Sequence, residues 1–125
     1  MGDNGNGQCG FREEKQSENM ITEPKLLMND KTIKIIACGS RHSMIYKENG
    51  ELLVIGNNDE GQLGIKKEIK FTDQPITLMV DKGIKDISLG GSHSLILKEN
   101  GELIGFGKNS FGIILFYLNL FSKFK

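Results

Sequence analysis

The stretch IKIIACGSRHSMIYKENGELLVIGNNDEG, Ile33 to Gly61, returns further along the chain as IKDISLGGSHSLILKENGELIGFGKNSFG, Ile84 to Gly112. Set one above the other without gaps, the segments are identical at sixteen of 29 positions, at an offset of 51 residues. Pro24 and Pro75 keep that offset, so the register extends upstream of the conspicuous block. A third copy is cut short: GDNGNGQCG at Gly2–Gly10 matches GNNDEGQLG at Gly56–Gly64 in five of nine positions. Its offset is 54, because 14 positions separate Gly10 from Pro24 and only 11 separate Gly64 from Pro75. A period of this size signals stacked or circular repeats, each of which needs a neighbour to cover its apolar face.

Turn chemistry and apolar runs show what one repeat builds. Ile33–Cys38 and Ile84–Leu89 are short, apolar and isoleucine-rich, which predicts buried strands and places the Cys38 thiol in the interior. His42–Lys47 and Glu51–Ile55 form two further runs joined by Asn49-Gly50, and Asn100-Gly101 repeats the junction. Asn-Gly between apolar segments predicts a two-residue hairpin with positive φ at both central residues. A fourth, weaker strand is expected after each proline, at Lys25–Met28 and Ile76–Val80, since proline is tolerated at the start of an edge strand. The fold class is therefore all-β: an incomplete propeller arc of four-stranded antiparallel blades. The expected units are a partial blade at 1–23, repeats at 24–74 and 75–112, and a divergent apolar tail at 113–125.

Composition narrows the chemistry. The chain has 125 residues, with 16 Lys+Arg balancing 16 Asp+Glu, so no overall basic field favours nucleic acid or anionic lipid. Direct nucleic-acid contact is therefore not expected, with local pairs such as Lys66-Lys67 the one feature that points toward it. Two cysteines, Cys9 and Cys38, and two histidines, His42 and His93, make neither a disulfide framework nor a zinc pattern. Free thiols, no basic n-region and no long apolar run lead to an expectation of a cytoplasmic or nuclear protein without a membrane span.

The ordered pattern of an apolar strand, then Cys-Gly-Ser-Arg-His-Ser, the Asn-Gly hairpin and Gly-Asn-Asn-Asp-Glu-Gly-Gln-Leu-Gly resembles the regulator of chromosome condensation repeat. The resemblance runs from about Gly2 to Gly112 and implies a seven-bladed β-propeller. It further implies a protein partner: in founding members one face promotes nucleotide exchange on a Ran-type small GTPase, and the protein docks on chromatin. Other members serve larger proteins, including ubiquitin ligases of the HECT type, by recognising substrates. Exchange-competent members carry acidic or histidine side chains just before the repeat histidine, where this chain has Ser40-Arg41 and Gly91-Ser92. These four residues are the candidate partner-facing loop, with Arg41 the foremost contact. The light-sensing members depend on clustered tryptophans, and this chain has none.

The remaining motif residues read as architecture. Gly39, His42 and Ser43 recur as Gly90, His93 and Ser94, and a catalytic histidine has no reason to recur once per blade. The imidazoles and following hydroxyls are expected to satisfy backbone groups near the propeller axis. Asn49 and Gly50, with Asn100 and Gly101, make the hairpins; Gly61, Gln62 and Gly64 shape a loop in which the glutamine amide ties the chain down. Gly5–Gly10 spells G-x-G-x-x-G but lacks the strand before and the helix after that dinucleotide binding needs. The Asn-rich acidic loops lack the ligand alternation of a calcium loop, so neither a catalytic site, a cofactor nor a metal is expected. Arg12–Glu18 reads as a charged connection. For 113–125 three readings stand open: a terminal strand on the free edge, an amphipathic contact segment, or the product of a truncated or misread coding region. Two and a third repeats leave blade faces bare, to be covered by missing blades of a longer protein or by self-association.

Overall fold

A computed structural model describes residues 26–108 in full and, upstream, the backbone of residues 2–3 and 20–21. Nine strands are described: β1 (Gly2–Asp3), β2 (Met20–Ile21), β3 (Ile33–Cys38), β4 (His42–Lys47), β5 (Glu51–Asn57), β6 (Phe71–Val80), β7 (Ile84–Leu89), β8 (His93–Lys98) and β9 (Leu103–Gly107). They form an antiparallel four-stranded sheet in the order β3-β4-β5-β6, a three-stranded sheet β7-β8-β9 and the short pair β1-β2. This is the open all-β arc the repeat predicts, with the fourth strand of the first sheet, β6, running from one copy into the next. The tail 113–125, Cys9, Gln8, the Gly5–Gly10 loop and the Arg12–Glu18 connection lie outside the described residues.

The truncated first copy keeps the register of the complete one. Gly2 pairs with Ile21 and Asp3 with Met20, just as Gly56 pairs with Thr72 and Asn57 with Phe71. The three extra residues of its offset therefore fall in the connection and leave the strands in step.

The outer strand departs from expectation. It starts at Phe71, four residues ahead of Pro75, while residues 26–28 are not strand at all. Proline can sit inside β6 because β6 is an edge strand and Pro75 falls at an irregularity: pairing passes from Gly56–Thr72 to Val54–Ile76 with a register shift between. In the first copy the matching strand is β2, again ahead of its proline.

The hairpins are also built differently. Gly50 N–H donates to Lys47 O at 3.0 Å and Gly101 N–H to Lys98 O at 3.0 Å, so each turn spans four residues and ends on the glycine. Gly50 takes φ 92° and Gly101 φ 89°. A turn followed by one left-handed glycine is the three-residue hairpin with a bulge, not the two-residue turn. Asn49 and Asn100 contribute through their side chains, each Oδ1 accepting from the backbone N–H two residues on at 3.0 Å.

The core lies between the blades. Met44, Tyr46, Leu52 and Val54 of the first sheet pack with Ile84, Ile87 and Ile96 of the second, and Leu63 enters from the loop after β5. The middle strands β4 and β5 are buried on both faces, so Met44–Tyr46 and Leu52–Ile55 run apolar without alternation. β3 instead alternates: Ile33, Ile35 and Ala37 are half-buried, while Lys34, Ile36 and Cys38 are exposed. Cys38 is thus at the surface, contrary to the expectation of a buried thiol. An apolar run places a residue in a strand, but the pleat decides its face.

Candidate functional site

The two blades meet at one end through a repeated turn. Gly39 N–H donates to His42 O at 2.8 Å and Gly90 N–H to His93 O at 2.9 Å, closing the link between each first and second strand. A side chain on Gly39 would strike the Gly90 carbonyl and the His42 ring, and one on Gly90 would strike the His93 ring. Glycine is needed here for close approach of the histidine and the neighbouring blade.

His42 and Ser94 are fully buried, and they are brought together across the seam, with Nε2 of His42 2.9 Å from Ser94 Oγ. Ser94 Oγ donates its hydrogen to Gln62 O at 2.7 Å. A hydroxyl has one hydrogen, so the short contact requires His42 to donate from Nε2. Nδ1 is then the bare ring nitrogen; it is buried and has no hydrogen-bond partner. Burial pushes the imidazole from the ordinary 6.5 down to about 4, with the backbone at His93 partly opposing. His42 is therefore neutral near pH 7. The histidine pairs with the serine 52 residues away, not with its sequence neighbour Ser43, whose Oγ reaches Cys38 Sγ at 3.8 Å. His93 is half-buried at the equivalent position of the second blade.

The loop after β5 is tied by its own amides. Gln62, fully buried, donates from Nε2 to Asn57 Oδ1 at 2.9 Å and accepts the Glu60 N–H at 2.9 Å. Asn58 donates to the Lys66 and Ile69 carbonyls and accepts the Leu63 N–H. Gly61 and Gly64 close successive turns, donating to Asn58 O and Gly61 O. The Asn and Asp oxygens that could suggest a cation site are engaged with this loop: Asn57 Oδ1 accepts the Asp59 N–H, and Asp59 Oδ2 accepts from Asn57 Nδ2 at 3.0 Å. Among the described residues no cluster of three or more His, Cys, Asp or Glu is placed to hold a metal.

The candidate partner-facing residues sit side by side at the end of the seam. Ser40 N–H lies 3.4 Å from Gly90 O, so the two loops touch through their backbones. Arg41 O accepts the Asn57 N–H and Ser92 O the Lys108 N–H, both at 2.8 Å, which pins each loop to its own blade. Ser40, Arg41 and Gly91 are exposed, and Ser92 is half-buried. The result is a rigid backbone ledge carrying one exposed guanidinium.

Sequence reasoning missed a polar clasp at the opposite end of the hairpins. Lys47 bridges Asp30 at 2.9 Å and Glu51 at 3.3 Å; Lys98 bridges Asp81 at 2.9 Å and Glu102 at 3.6 Å. Asp30 is held down to about 2, first by its bonds to Thr32 and then by Lys47, and Asp81 is held low first by Lys98 and then by the Gly83 N–H. Tyr46 OH donates to Asp81 O at 2.7 Å, joining the blades there too. The signal was available: Asp30, Lys47 and Glu51 recur 51 residues on as Asp81, Lys98 and Glu102.

Known proteins share this arrangement. Residues 1–46 and 49–97 match the regulator of chromosome condensation (RCC1) repeat, and a second description of the same repeat matches 33–62 and 84–113. The chain is 36% identical over 113 residues to the probable E3 ubiquitin-protein ligase HERC6 of Homo sapiens, covering 89% of the chain and 11% of that protein. It is 36% identical over 83 residues to the secretion-regulating guanine nucleotide exchange factor of Bos taurus, covering 64% of the chain and 18% of that protein. Crystal structures of the yeast protein Prp20p superpose at 27% identity, with a TM-score of 0.77 for the form bound to Kap60 and 0.76 for the Saccharomyces cerevisiae protein described with its binding to Gsp1p and histones. That likeness covers 89–90% of this chain and 28–29% of the other. The chain spans between a tenth and a third of these relatives, and by its repeats and its blades it belongs to the regulator of chromosome condensation (RCC1) repeat family.

Proposed function

We propose that the chain acts as a protein-docking module, with Ser40-Arg41 and Gly91-Ser92 as the ledge that meets the partner. The observation that carries this reading is the exposed Arg41 on a backbone fixed from both sides. A preorganised backbone spares the ordering cost of binding, and arginine is enriched among residues that dominate interfaces. Catalysis by side chains has no comparable support, because the buried His42 is engaged with the hydroxyl of Ser94 across the seam.

Likeness to the bovine exchange factor and to Prp20p supports a second, narrower reading, in which the partner is a Ran-type small GTPase and the full-length protein promotes nucleotide release. Likeness to HERC6 supports substrate recognition for a ubiquitin ligase. The ledge itself favours simple docking, since Ser40-Arg41 and Gly91-Ser92 offer no carboxylate to displace phosphate or magnesium contacts. Residence in the cytoplasm or nucleus is part of the same proposal.

A Ran-type GTPase loaded with fluorescent GDP tests these readings with the whole chain. Binding without faster nucleotide release is the expected result, and Arg41→Ala should weaken it about tenfold or more. The same variant should melt within about 0.5 kcal/mol of the parent, as an exposed substitution does. Acceleration of release would favour exchange, and unchanged affinity on Arg41→Ala would remove the ledge from the interface.

A further inference from the structure

We infer that the loop between β5 and β6 is a docking surface for a short acidic segment of another protein, one that carries an aromatic or aliphatic side chain among its carboxylates. Lys66, Lys67 and Lys70 are exposed there, and Glu68 is the one carboxylate between them. Ile69 is 37% exposed, and Phe71, where β6 begins, is 57% exposed. Among the described residues none of these three lysines has an ion pair, whereas Lys47 and Lys98 at the other end of the hairpins are each bridged to two carboxylates.

The loop is held in shape from beneath. Asn58, fully buried, donates from Nδ2 to Lys66 O at 3.2 Å and to Ile69 O at 2.8 Å, and its backbone N–H donates to Lys70 O at 2.7 Å. Ile69 N–H donates to Lys66 O at 3.0 Å and closes a turn. The lysines and apolar side chains therefore stand on a fixed backbone, and docking is spared the cost of ordering it. The repeat does not account for this surface. What recurs, such as the paired histidines and the two clasps, serves the fold, but this connection does not recur. Its counterpart Arg12–Glu18 has two cations against three carboxylates, where Lys66–Lys70 has three against one.

Charge and shape select the occupant. Unpaired lysines beside exposed Ile69 and Phe71 complement carboxylates interspersed with an apolar side chain, and such a contact removes apolar surface from water. A bilayer or a duplex presents negative charge over a wider area, and at this end of the blade it would also meet the exposed Asp59 and Glu60. A short segment can set its carboxylates on the lysines and avoid both.

Fluorescence anisotropy of the full chain with a fluorescein-labelled peptide of glutamates around two phenylalanines tests this. Saturable binding with Kd on the order of 10–100 μM is expected, weakening as salt rises. Lys67→Glu combined with Lys70→Glu should weaken it at least tenfold, and Phe71→Ser several-fold, with melting unaltered because the changed side chains are exposed. Ile69→Ser provides a second apolar variant should Phe71→Ser fail to fold. The same peptide with glutamine for glutamate should not bind. The inference is overturned by a parent chain that ignores the acidic peptide, by lysine variants that bind it as the parent does, or by equal binding of the glutamine version. Tighter binding of oligothymidylate or of phosphatidylserine vesicles, lost with the same lysines, overturns it as well, by giving the surface to nucleic acid or to a membrane.

Discussion

Alanine at Gly56 should remove about 3 kcal/mol or more of stability, enough to unfold much of an arc this small. Gly56 lies within β5 at φ 114°, opposite His42 in the ladder. A Cβ there would meet the Arg41 carbonyl oxygen and come 2.8 Å from His42 Cα. Neither can yield. Arg41 O is held by the Asn57 N–H and His42 O by the Gly39 N–H, so relief would break the turn that aligns the blades. Left-handed strain and overlap with backbone act together, and Gly61 separates them: at φ 77° its Cβ would meet nothing within 4 Å. Gly61→Ala should cost only about 1 kcal/mol. The repeat supplies a replicate, because Gly107 has φ 109° and would meet Ser92 O and His93 Cα in the same way. Urea melts followed by circular dichroism decide the matter; a loss at Gly56 no larger than at Gly61 would mean that the strand bends out of the way.

Period and turn residues made the blades legible, while contacts between blades were not. β3, β4 and β7 begin and end where the apolar runs do, because Gly39, Asn49-Gly50 and Gly90 punctuate them. The outer strand was misplaced because Phe71–Gln74 is polar apart from its first residue, so only Ile76–Val80 shows an apolar pattern. Backbone pairing along the β5 edge, not side-chain burial, extends β6 to Phe71. Cys38 was misread because one run of six residues does not reveal which face a neighbour covers. His42 is the clearest case. Its ring is expected to satisfy a backbone group, yet the bond runs to the Ser94 hydroxyl, and only the stacking of one repeat on the next creates it. Leu63 escaped notice between Gln62 and Gly64 although it is fully buried, because a lone leucine in a glycine-rich loop carries no periodicity.

That buried imidazole should make stability fall as pH drops from 6.5 to 4, by up to about 3 kcal/mol. The unfolded chain takes up a proton at the ordinary 6.5, whereas folded His42 resists protonation down to about 4. Above 6.5 both states are neutral and the full stability is present. Within the window only the unfolded state is charged, so unfolding gains with each step toward acid, and below 4 the two states again match. Losing the proton-free form has a structural reading as well: Nδ1 makes no hydrogen bond, and a proton placed there would bring a charge into a buried site, which the backbone at His93 only partly offsets. Carboxylates titrate elsewhere on the scale. Asp30 is held to about 2 and Asp81 is held low, so their contributions persist through most of the window and are lost below it. His42→Gln keeps an N–H for Ser94 but cannot titrate. It should start from lower stability at pH 7, by about 1 kcal/mol for the altered hydrogen bond, and then lose less toward pH 4 than the parent does. Thermal melts at half-unit pH intervals read both curves. Equal slopes for the two proteins would show that His42 is not the group that senses acid.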